Sequence, residues 1–479
     1  MPLDEISAEP AMLALLDKQK AAQLAGGAPS AEERIDRLDR AIDLLVQNKS
    51  ALDEAVSEDF GHRSKDVTAF ADTATSIAQL KFAKKHLRRW MRPARRGVEF
   101  PFGLLGASAR ITYQPKGVVG IVAPWNFPVG MVFGPLAGVL AAGNRAMAKP
   151  SEFTANTSEL LRDIVAQSFD ESEFAVVTGG PEVGAAFSAL PFDHLVFTGS
   201  GSVARHIMRA AAENLVPLTL ELGGKSPAIL GRSADFKKAV TRVMHGKVLN
   251  AGQICLAPDY LIAPEENMDQ VVDHAQAAVS EMFVDGIKDN DDYTSIINQR
   301  HYDRLQGYLD DAAAKGADVI EVNPKGEDFS QQPHRKMPPT LVLNPTEDMS
   351  VMQEEIFGPI LPIKSYDNIQ SAIDYVNDHD RPLGLYYFGQ DQAEQEKVLS
   401  STISGGVTVN DVIFHVAQED LPFGGVGPSG MGCYHGRDGF YEFSHRKSVY
   451  SQTGSEVIKM IRPPYGETFR KQINGRIKN

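Results

Sequence analysis

Cysteine is scarce in this chain, and positive charge is outnumbered by negative charge. Two cysteines, Cys255 and Cys433, occur in 479 residues; they are too few for a disulfide framework and lack the clustered spacing of a zinc or iron–sulfur site. Forty-eight Lys and Arg residues oppose 62 Asp and Glu residues, which gives a net charge of −14. This balance argues against nucleic acids and anionic membranes as partners. The 12 histidines show no paired helical spacing, so we expect no metal site.

Targeting signals and uninterrupted apolar segments are also missing, with one apparent exception. The acidic start MPLDEISAEPAM lacks the basic and then apolar pattern of a signal peptide, so we expect a cytoplasmic protein. Residues 117–144 carry no charge and are numerous enough to span a bilayer. Pro124, Pro128 and Pro135 interrupt this segment, however, and favour a buried strand, a turn and a core helix instead.

The remaining composition and patterning are those of an α/β protein. Apolar residues make up 43% and charged residues 23% of the chain, as in globular proteins, and the length suits two or three domains. Ser30 and Glu33 form a capping-box pattern that predicts the start of a helix. Short β-rich runs then alternate with helical segments, which predicts a doubly wound parallel sheet. The alternation resumes after Gly224 and predicts a second α/β unit.

A glycine-rich turn follows the predicted strand HLVFT. Gly199, Ser200, Gly201 and Ala204 fit the pattern G-x-G-x-x-G/A between a strand and a helix, where backbone amides and a helix N-terminus receive a pyrophosphate. Such turns also occur without a ligand. Glu221 follows at about the interval of a ribose-binding acid, so a cofactor role and a catalytic role compete for this residue.

A thiol, a carboxylate and an amide occur in three separate motifs. Cys255 lies in LNAGQICLAPDY, Glu221 in ELGG and Asn126 in PWNFP. A lone buried cysteine is usually an inert core residue, but an asparagine after an apolar strand is costly to bury unless its hydrogen bonds are used. Together the three supply a nucleophile, a general base and an oxyanion donor for covalent acyl chemistry. Cys433 has no such partners and is expected to serve in packing.

Seven motifs in order resemble those of the aldehyde dehydrogenase superfamily from about residue 35 to 450: PWNFP, KPSE, FTGS, ELGGKSP, GQICLAPDY, EEIFGP and LPFGG. APDY, VNDVIFH and SGMGCYHG resemble the class 3 branch, which includes coniferyl and fatty aldehyde relatives. The resemblance implies the following division: residues 1–95 and 116–223 in a dinucleotide-binding domain, 224–425 in a catalytic domain, 96–115 and 440–455 in a β oligomerisation element, and 456–479 in a C-terminal tail.

The resemblance also implies a reaction and a set of site residues. Aldehyde is oxidised to carboxylic acid with NAD(P)+ through a thiohemiacetal and a thioester on Cys255. The Asn126 side chain and the Cys255 backbone amide hold the oxyanion, and Glu221 activates the water that hydrolyses the thioester. The implied cofactor-binding residues are Trp125, Lys149, Glu152, Gly179, Gly199, Ser200, Glu355 and Phe357. An acid such as Glu152 near the adenosine ribose repels a 2′-phosphate and favours NAD+, with NADP+ left open.

The substrate side of the site rests on four apolar residues. Phe127 and Met131 are four residues apart on one helix face, and Phe414 and Phe423 flank the last motif. They predict an apolar tunnel, in which Gly134 leaves room for a medium-chain or aromatic aldehyde such as coniferyl aldehyde. Ordinary core packing is the alternative for these side chains.

An exposed strand pair near residues 109–116 and 447–451 favours a homodimer, with a tetramer as the alternative. The expected partner is a small aldehyde rather than nucleic acid or membrane. Among rival functions, a CoA-acylating semialdehyde dehydrogenase usually lacks the acid of ELGG, and a thiol esterase would not need KPSE or EEIFGP. A non-catalytic structural member of the superfamily would tolerate loss of Cys255 or Glu221, yet both are present.

Overall fold

The structure is a computed structural model that describes residues 5–100, 102–454 and 462–477. Its α-helices, in chain order, are α1 Glu5–Gly26, α2 Ala31–Gln47, α3 Lys49–Phe60, α4 Lys65–Thr68, α5 Thr75–Trp90, α6 Gly130–Ala142, α7 Ala155–Ser168, α8 Pro181–Ser188, α9 Gly201–Glu213, α10 Phe236–Val248, α11 Met268–Met282, α12 Gln299–Ala314, α13 Ser350–Gln353, α14 Ile369–Asn377, α15 Gln392–Ser401, α16 Gly436–Glu442 and α17 Glu467–Ile477. A π-helix, Ala69–Ala74, joins α4 to α5.

The strands fall into three sheets within the described residues. In chain order they are β1 Ala94–Arg96, β2 Ser108–Pro115, β3 Val118–Val122, β4 Arg145–Lys149, β5 Phe174–Val176, β6 His194–Gly199, β7 Leu218–Leu222, β8 Pro227–Leu230, β9 Tyr260–Pro264, β10 Asp318–Glu321, β11 Thr340–Leu343, β12 Ile360–Tyr366, β13 Gly384–Phe388, β14 Gly406–Val409, β15 Gly430–Met431 and β16 Ser444–Ser451.

The first sheet has the order β15-β7-β6-β3-β4-β5 and is parallel except for β15. Successive residues of its strands enter different cores because side chains alternate along a strand. Val119 and Ile121 of β3 pack with α2, α5, α6 and α7, whereas Val118 packs with α1, α8 and α9. Helices therefore cover both faces, and the predicted doubly wound parallel sheet is confirmed.

The second sheet, β10-β11-β12-β9-β8-β13-β14, is parallel except at β10. Its strands come from the predicted second α/β unit. The third sheet is antiparallel and joins β1, β2 and β16, with β2 and β16 paired over eight residues each. The three sheets draw on different parts of the chain, and the residue boundaries of the three domains stay predictions.

The charge-free segment 117–144 folds as β3, a turn and α6, as predicted. Helix α6 is buried over most of its length despite containing Pro135. Its cover comes from distant parts of the chain: α16 packs against it, and the Asn144 side chain that follows it donates to the Phe443 carbonyl at 2.9 Å. None of the helices in the described residues is both long and apolar enough to cross a membrane.

Both ends of the chain hold helices that the sequence patterns did not predict. In α1, Met12 and Leu16 are buried against the first sheet, although Pro10 lies within the helix. In α17, within the expected tail, no residue is buried; residues 456–461 and 478–479 of that tail lie outside the described residues. The capping box at Ser30 and Glu33 is confirmed by reciprocal hydrogen bonds.

Candidate active site

A cavity of about 200 Å³ opens at the carboxyl ends of β6 and β7, the edge at which parallel α/β sheets place their ligands. Segments that connect the strands of the second sheet close the other side of this cavity. Besides Met131, the lining brings together residues from five of the sequence motifs: Trp125, Asn126, Gly199, Ser200, Glu221, Cys255, Glu355 and Phe357. We call this space the inner cavity.

Cys255 reaches the inner cavity from a tight turn after α10. Asn250 and Ala251 have φ values of 50° and 51°, and Gly252 has a φ of 71°. A Cβ on Gly252 would lie 2.3 Å from the Gly358 carbonyl oxygen, so only glycine lets the turn before Cys255 pass beside the EEIFGP segment. The turn is thereby locked against the segment that carries Glu355.

Gln253 holds the same turn from within. Its Nε2 donates to the carbonyls of Asn250 and Ser295, each at 3.0 Å, and its Oε1 accepts from the Ile297 amide at 3.0 Å. Gln253 is fully buried. Because its side-chain amide makes hydrogen bonds through both the nitrogen and the oxygen, it holds the turn rigidly. Its role was not inferred from the sequence, although it lies inside the GQICLAPDY motif.

Asn126 approaches Cys255 from the PWNFP turn. Its side chain is buried, and Nδ2 donates one hydrogen bond to the Gln253 carbonyl at 3.1 Å. Because a side-chain amide has two N–H donors, this contact orients the group and leaves a second N–H for an oxyanion. The geometry suits the predicted role.

Glu221 and Glu355 place two carboxyl groups in the wall of the inner cavity. Each has an oxygen, Oε1, without a hydrogen-bond partner in the described structure. Burial raises the pKa of Glu221 well above its ordinary value and that of Glu355 to about 8. Burial, with these two carboxyls, also raises the pKa of the Cys255 thiol. Desolvation in the inner cavity thus shifts all three groups toward their neutral, protonated forms.

A buried ion pair ties two of the motifs to the Glu355 segment. Lys225 of ELGGKSP pairs with Asp259 of GQICLAPDY and also donates to the Glu354 carbonyl at 3.0 Å. The second Asp259 oxygen accepts from the Ile356 amide at 3.0 Å. These contacts give a structural role to the lysine and the aspartate of the two motifs. This role was not inferred from the sequence, although both residues lie inside motifs.

A second, larger space of about 590 Å³ continues from the inner cavity along α9, and we call it the outer cavity. The two share Trp125, Gly199, Ser200 and His301. Lys149 Nζ binds Glu152 Oε2 at 3.0 Å at the outer wall. Ser200 caps α9, its hydroxyl accepting from the Val203 amide at 3.4 Å.

These features fit a dinucleotide. The N-terminus of the 13-residue helix α9 faces the outer cavity and attracts a pyrophosphate. The unpartnered Glu355 oxygen at the inner end can accept from ribose hydroxyls. Phe357 packs on the Trp125 ring at 5.3 Å between centroids. Gly179 does not line either cavity; its backbone has a φ of 151°, and a Cβ there would lie 2.5 Å from Val183.

The four predicted substrate side chains lie in different environments. Met131 lines the inner cavity, but Phe127, Phe414 and Phe423 line neither cavity. Phe127 packs on the Arg63 guanidinium at 4.9 Å, Phe423 stacks on His435, and Phe414 is 53% exposed. Their substrate roles stay predictions.

The space expected beside Gly134 is occupied. A Cβ at this position would lie 2.8 Å from Oε1 of Gln79, whose Nε2 lies 3.0 Å from His435 Nε2. The expectation of free room at Gly134 is therefore wrong, because helix α5 places a long side chain there.

Comparison with known proteins adds the following. Residues 7–449 match the family model described as "Aldehyde dehydrogenase family". A "Probable coniferyl aldehyde dehydrogenase" of Caulobacter vibrioides is 62% identical, with 97% of this chain and 96% of the relative covered. The "Coniferyl aldehyde dehydrogenase" of a Pseudomonas species is 55% identical over 95% and 94%. A rat protein, "Aldehyde dehydrogenase family 3 member B1", is 37% identical over 92% of each chain.

Two solved structures resemble the fold closely. AldH of Staphylococcus aureus in a substrate-bound state superposes with a TM-score of 0.90 at 35% identity, covering 97% of this chain and 99% of that one. A betaine aldehyde dehydrogenase of Staphylococcus aureus in complex with NAD+ gives a TM-score of 0.82 at 26% identity, covering 93% and 88%.

Proposed function

Because the chain belongs to the aldehyde dehydrogenase family and oxidises an aldehyde to a carboxylic acid with NAD(P)+, we propose that its substrates are aromatic aldehydes of the coniferyl type. The observation that carries the proposed reaction is that Cys255, Asn126 and Glu221 line one cavity. The relatives named for coniferyl aldehyde, 62% and 55% identical, support the substrate class. A medium-chain aldehyde is the next candidate.

Cys255 is the proposed nucleophile. The thiol releases its proton to solvent, the thiolate Sγ attacks the aldehyde carbon, and the carbonyl oxygen becomes an oxyanion. The free N–H of Asn126 and the backbone amide of Cys255 stabilise that charge. Each such donor contributes about 3 kcal/mol to the transition state in acyl-transfer enzymes. Bound NAD(P)+ supplies the acceptor for the hydride that leaves the aldehyde carbon.

Glu221 is the proposed general base. Burial raises the pKa of Glu221, which makes its ionised carboxylate a stronger proton acceptor. In its ionised form it takes a proton from the water that attacks the Cys255 thioester, the Cys255 thiolate leaves as the acid is released, and Glu221 then returns the proton to solvent. Its location in the inner cavity, beside the thiol rather than at the Lys149 end, supports this role over ribose binding.

The proposed cofactor residues are spread over both cavities. Lys149 and Glu152 would hold the adenosine ribose, Gly199 and Ser200 the pyrophosphate, and Glu355 the nicotinamide ribose. The Glu152 carboxylate opposes a 2′-phosphate, so NAD+ is the proposed cofactor in preference to NADP+. Trp125, Gly179 and Phe357 complete the proposed set.

An aldehyde panel tests the function. Coniferaldehyde, hexanal and succinic semialdehyde are supplied with NAD+ or NADP+, and the fluorescence of reduced cofactor is followed. We expect the highest kcat/KM with coniferaldehyde and NAD+. A preference for the acidic semialdehyde would reject the proposed substrate class, and the absence of any signal would reject the mechanism.

We also propose that the protein is a homodimer. Strand β16 lies at the edge of the third sheet, and most of its residues are exposed; an edge of this length suits pairing with another chain. Sedimentation should give twice the 52.2 kDa chain mass, whereas a monomer would reject the proposal. Cytoplasmic location remains a prediction.

A further inference from the structure

Arg63 is a fully buried cation outside every motif considered so far. It lies between α3 and α4, and its Nη1 donates to the Asn126 carbonyl at 2.7 Å. The guanidinium lies over the ring of Phe127 at 4.9 Å. One side chain thus contacts two consecutive residues of the PWNFP turn.

Asp72 holds the other end of that turn. It is fully buried in the π-helix and accepts a hydrogen bond from the Gly130 amide at the start of α6. Its second oxygen lies 3.9 Å from Arg63 Nη2. A π-helical turn is uncommon and recurs at functional sites; here it places an acceptor at a helix start.

Burying this pair is costly in solvation, and apolar residues would fill the same volume with less loss. Burial lowers the pKa of Arg63 only to about 10, so the side chain remains charged near neutral pH. Arg63 Nε has no hydrogen-bond partner in the described structure. The hydrogen bond from Arg63 Nη1 to the Asn126 carbonyl is the contact that links this side chain directly to the site.

We propose that Arg63 and Asp72 are positioning residues that fix residues 126–130 and thereby aim the Asn126 amide at the reacting carbonyl. The inference rests on the proposed oxyanion role of Asn126. Asn250 Nδ2 also donates to the Asn126 carbonyl, at 3.2 Å, so the turn is held from the nucleophile side as well. Loss of the Arg63 contact shifts the amide while leaving Cys255 and the cofactor residues in place.

Arg63→Gln is the test variant, and Arg34→Gln is its matched control. Arg34 is also buried, with its pKa lowered to about 10 by burial, and its Nη1 donates to the Ala141 carbonyl at 2.9 Å. It therefore holds the opposite end of α6. Arg63→Lys and Asp72→Asn serve as milder variants if Arg63→Gln does not fold.

We expect Arg63→Gln to lower kcat by about tenfold to hundredfold, as misplacement of a catalytic group does, with KM for NAD+ unchanged. Arg34→Gln should lower thermal stability but keep kcat per folded enzyme within about twofold. In an Asn126→Ala background, which itself loses about 10²–10³-fold, Arg63→Gln should add less than about twofold because coupled residues are not additive.

Three results would overturn the inference. Losses that multiply in the double variant, or equal kcat in Arg63→Gln and the wild type, would show that Arg63 does not act through Asn126. If Asn126→Ala alone keeps full kcat, the proposed oxyanion role fails and the inference fails with it. If Asn126→Ala is impaired and Arg63→Gln is not, the inference alone fails.

Discussion

The inner and outer cavities hold their charged groups in opposite ways. In the inner cavity, Glu221 and Glu355 each have a carboxyl oxygen without a partner, and the Cys255 thiol lies beside them. In the outer cavity, Lys149 and Glu152 bind each other at 3.0 Å. In the inner cavity, each carboxyl group keeps an oxygen that can still take part in proton transfer. In the outer cavity, the two opposite charges offset each other.

This difference separates chemistry from recognition. Proton transfer needs groups whose pKa lies far from the ordinary value, and desolvation supplies that shift. Recognition of a ribose needs hydrogen-bonding groups held in fixed positions, and an ion pair supplies them. Substitutions of Cys255, Glu221 and Asn126 should therefore change the chemical steps, whereas those of Glu355 and of outer-cavity residues should change affinity for the cofactor.

The largest effect is expected from Cys255→Ala. Loss of the nucleophile should reduce both aldehyde oxidation and ester hydrolysis by about 10⁴-fold or more. Cys433→Ala provides the control, because this partly buried thiol lines neither cavity. Steady-state assays with an aldehyde and with a nitrophenyl ester measure both activities. Retained activity in Cys255→Ala, or its loss in Cys433→Ala, would reverse the two assignments.

Glu221→Gln should separate the two chemical steps. Removing the base should slow thioester hydrolysis by about 10²–10³-fold, while a rapid burst of reduced cofactor remains. Stopped-flow fluorescence measures the burst and the later steady rate. Glu355→Gln, in the same cavity, should instead raise KM for NAD+. If Glu221→Gln instead binds NAD+ more weakly and keeps the wild-type ratio of burst to turnover, Glu221 would be assigned to ribose binding rather than to base catalysis.

The protonated state of Glu355 should make stability depend on pH. Its folded pKa of about 8 exceeds the ordinary value of 4.5, so the unfolded chain ionises first as pH rises. The contribution to stability is complete below pH 4.5 and is lost by about pH 8, to a total of a few kcal/mol. Burial of Glu221 acts in the same direction.

Urea unfolding of the cofactor-free protein between pH 5 and pH 9 measures this dependence. Glu355→Gln should show a flatter decline with pH than the wild type. Identical slopes in the two proteins would mean that the inner cavity does not hold a protonated Glu355, and the contrast between the cavities would be lost.

The smallest effect is expected from Glu152→Gln in the outer cavity. Partly exposed charges contribute about 1 kcal/mol or less, so the preference for NAD+ over NADP+ should fall by about tenfold or less, with kcat unchanged. Glu159→Gln on α7 changes the net charge equally and serves as the control. A large fall in kcat for Glu152→Gln would contradict its assignment to recognition.

Most of the framework was predictable because its signals are local. Strands such as β6 are short apolar runs bounded by turn residues, and Ser30 with Glu33 marks a helix start within four residues. Helix α1 was missed because its apolar residues are spread among alanines and Pro10 suggests a break. The burial of Met12 and Leu16 in α1 depends on contact with the distant first sheet.

The site was predictable as a set of motifs but not as a network. Cys255, Glu221 and Asn126 were found through their motifs, whereas the contact of Arg63 with Asn126 joins residues 63 positions apart and has no sequence signature. Helical spacing grouped Phe127 with Met131 on one helix face, but this was wrong because α6 begins at Gly130 and Phe127 precedes it. It could not show that only Met131 lines the inner cavity, because that depends on which element covers each side chain.

The burial of α6 has a consequence for how the chain folds. This apolar helix is complete by residue 142, yet its cover includes α16 and the Phe443 carbonyl, which receives Asn144. During synthesis some 300 residues must follow before those contacts can form. Contacts between segments so far apart in the sequence form slowly, and the apolar surface of α6 stays exposed until they form. The nascent chain should therefore need chaperone protection until its last segments emerge, and a truncation before residue 436 should aggregate.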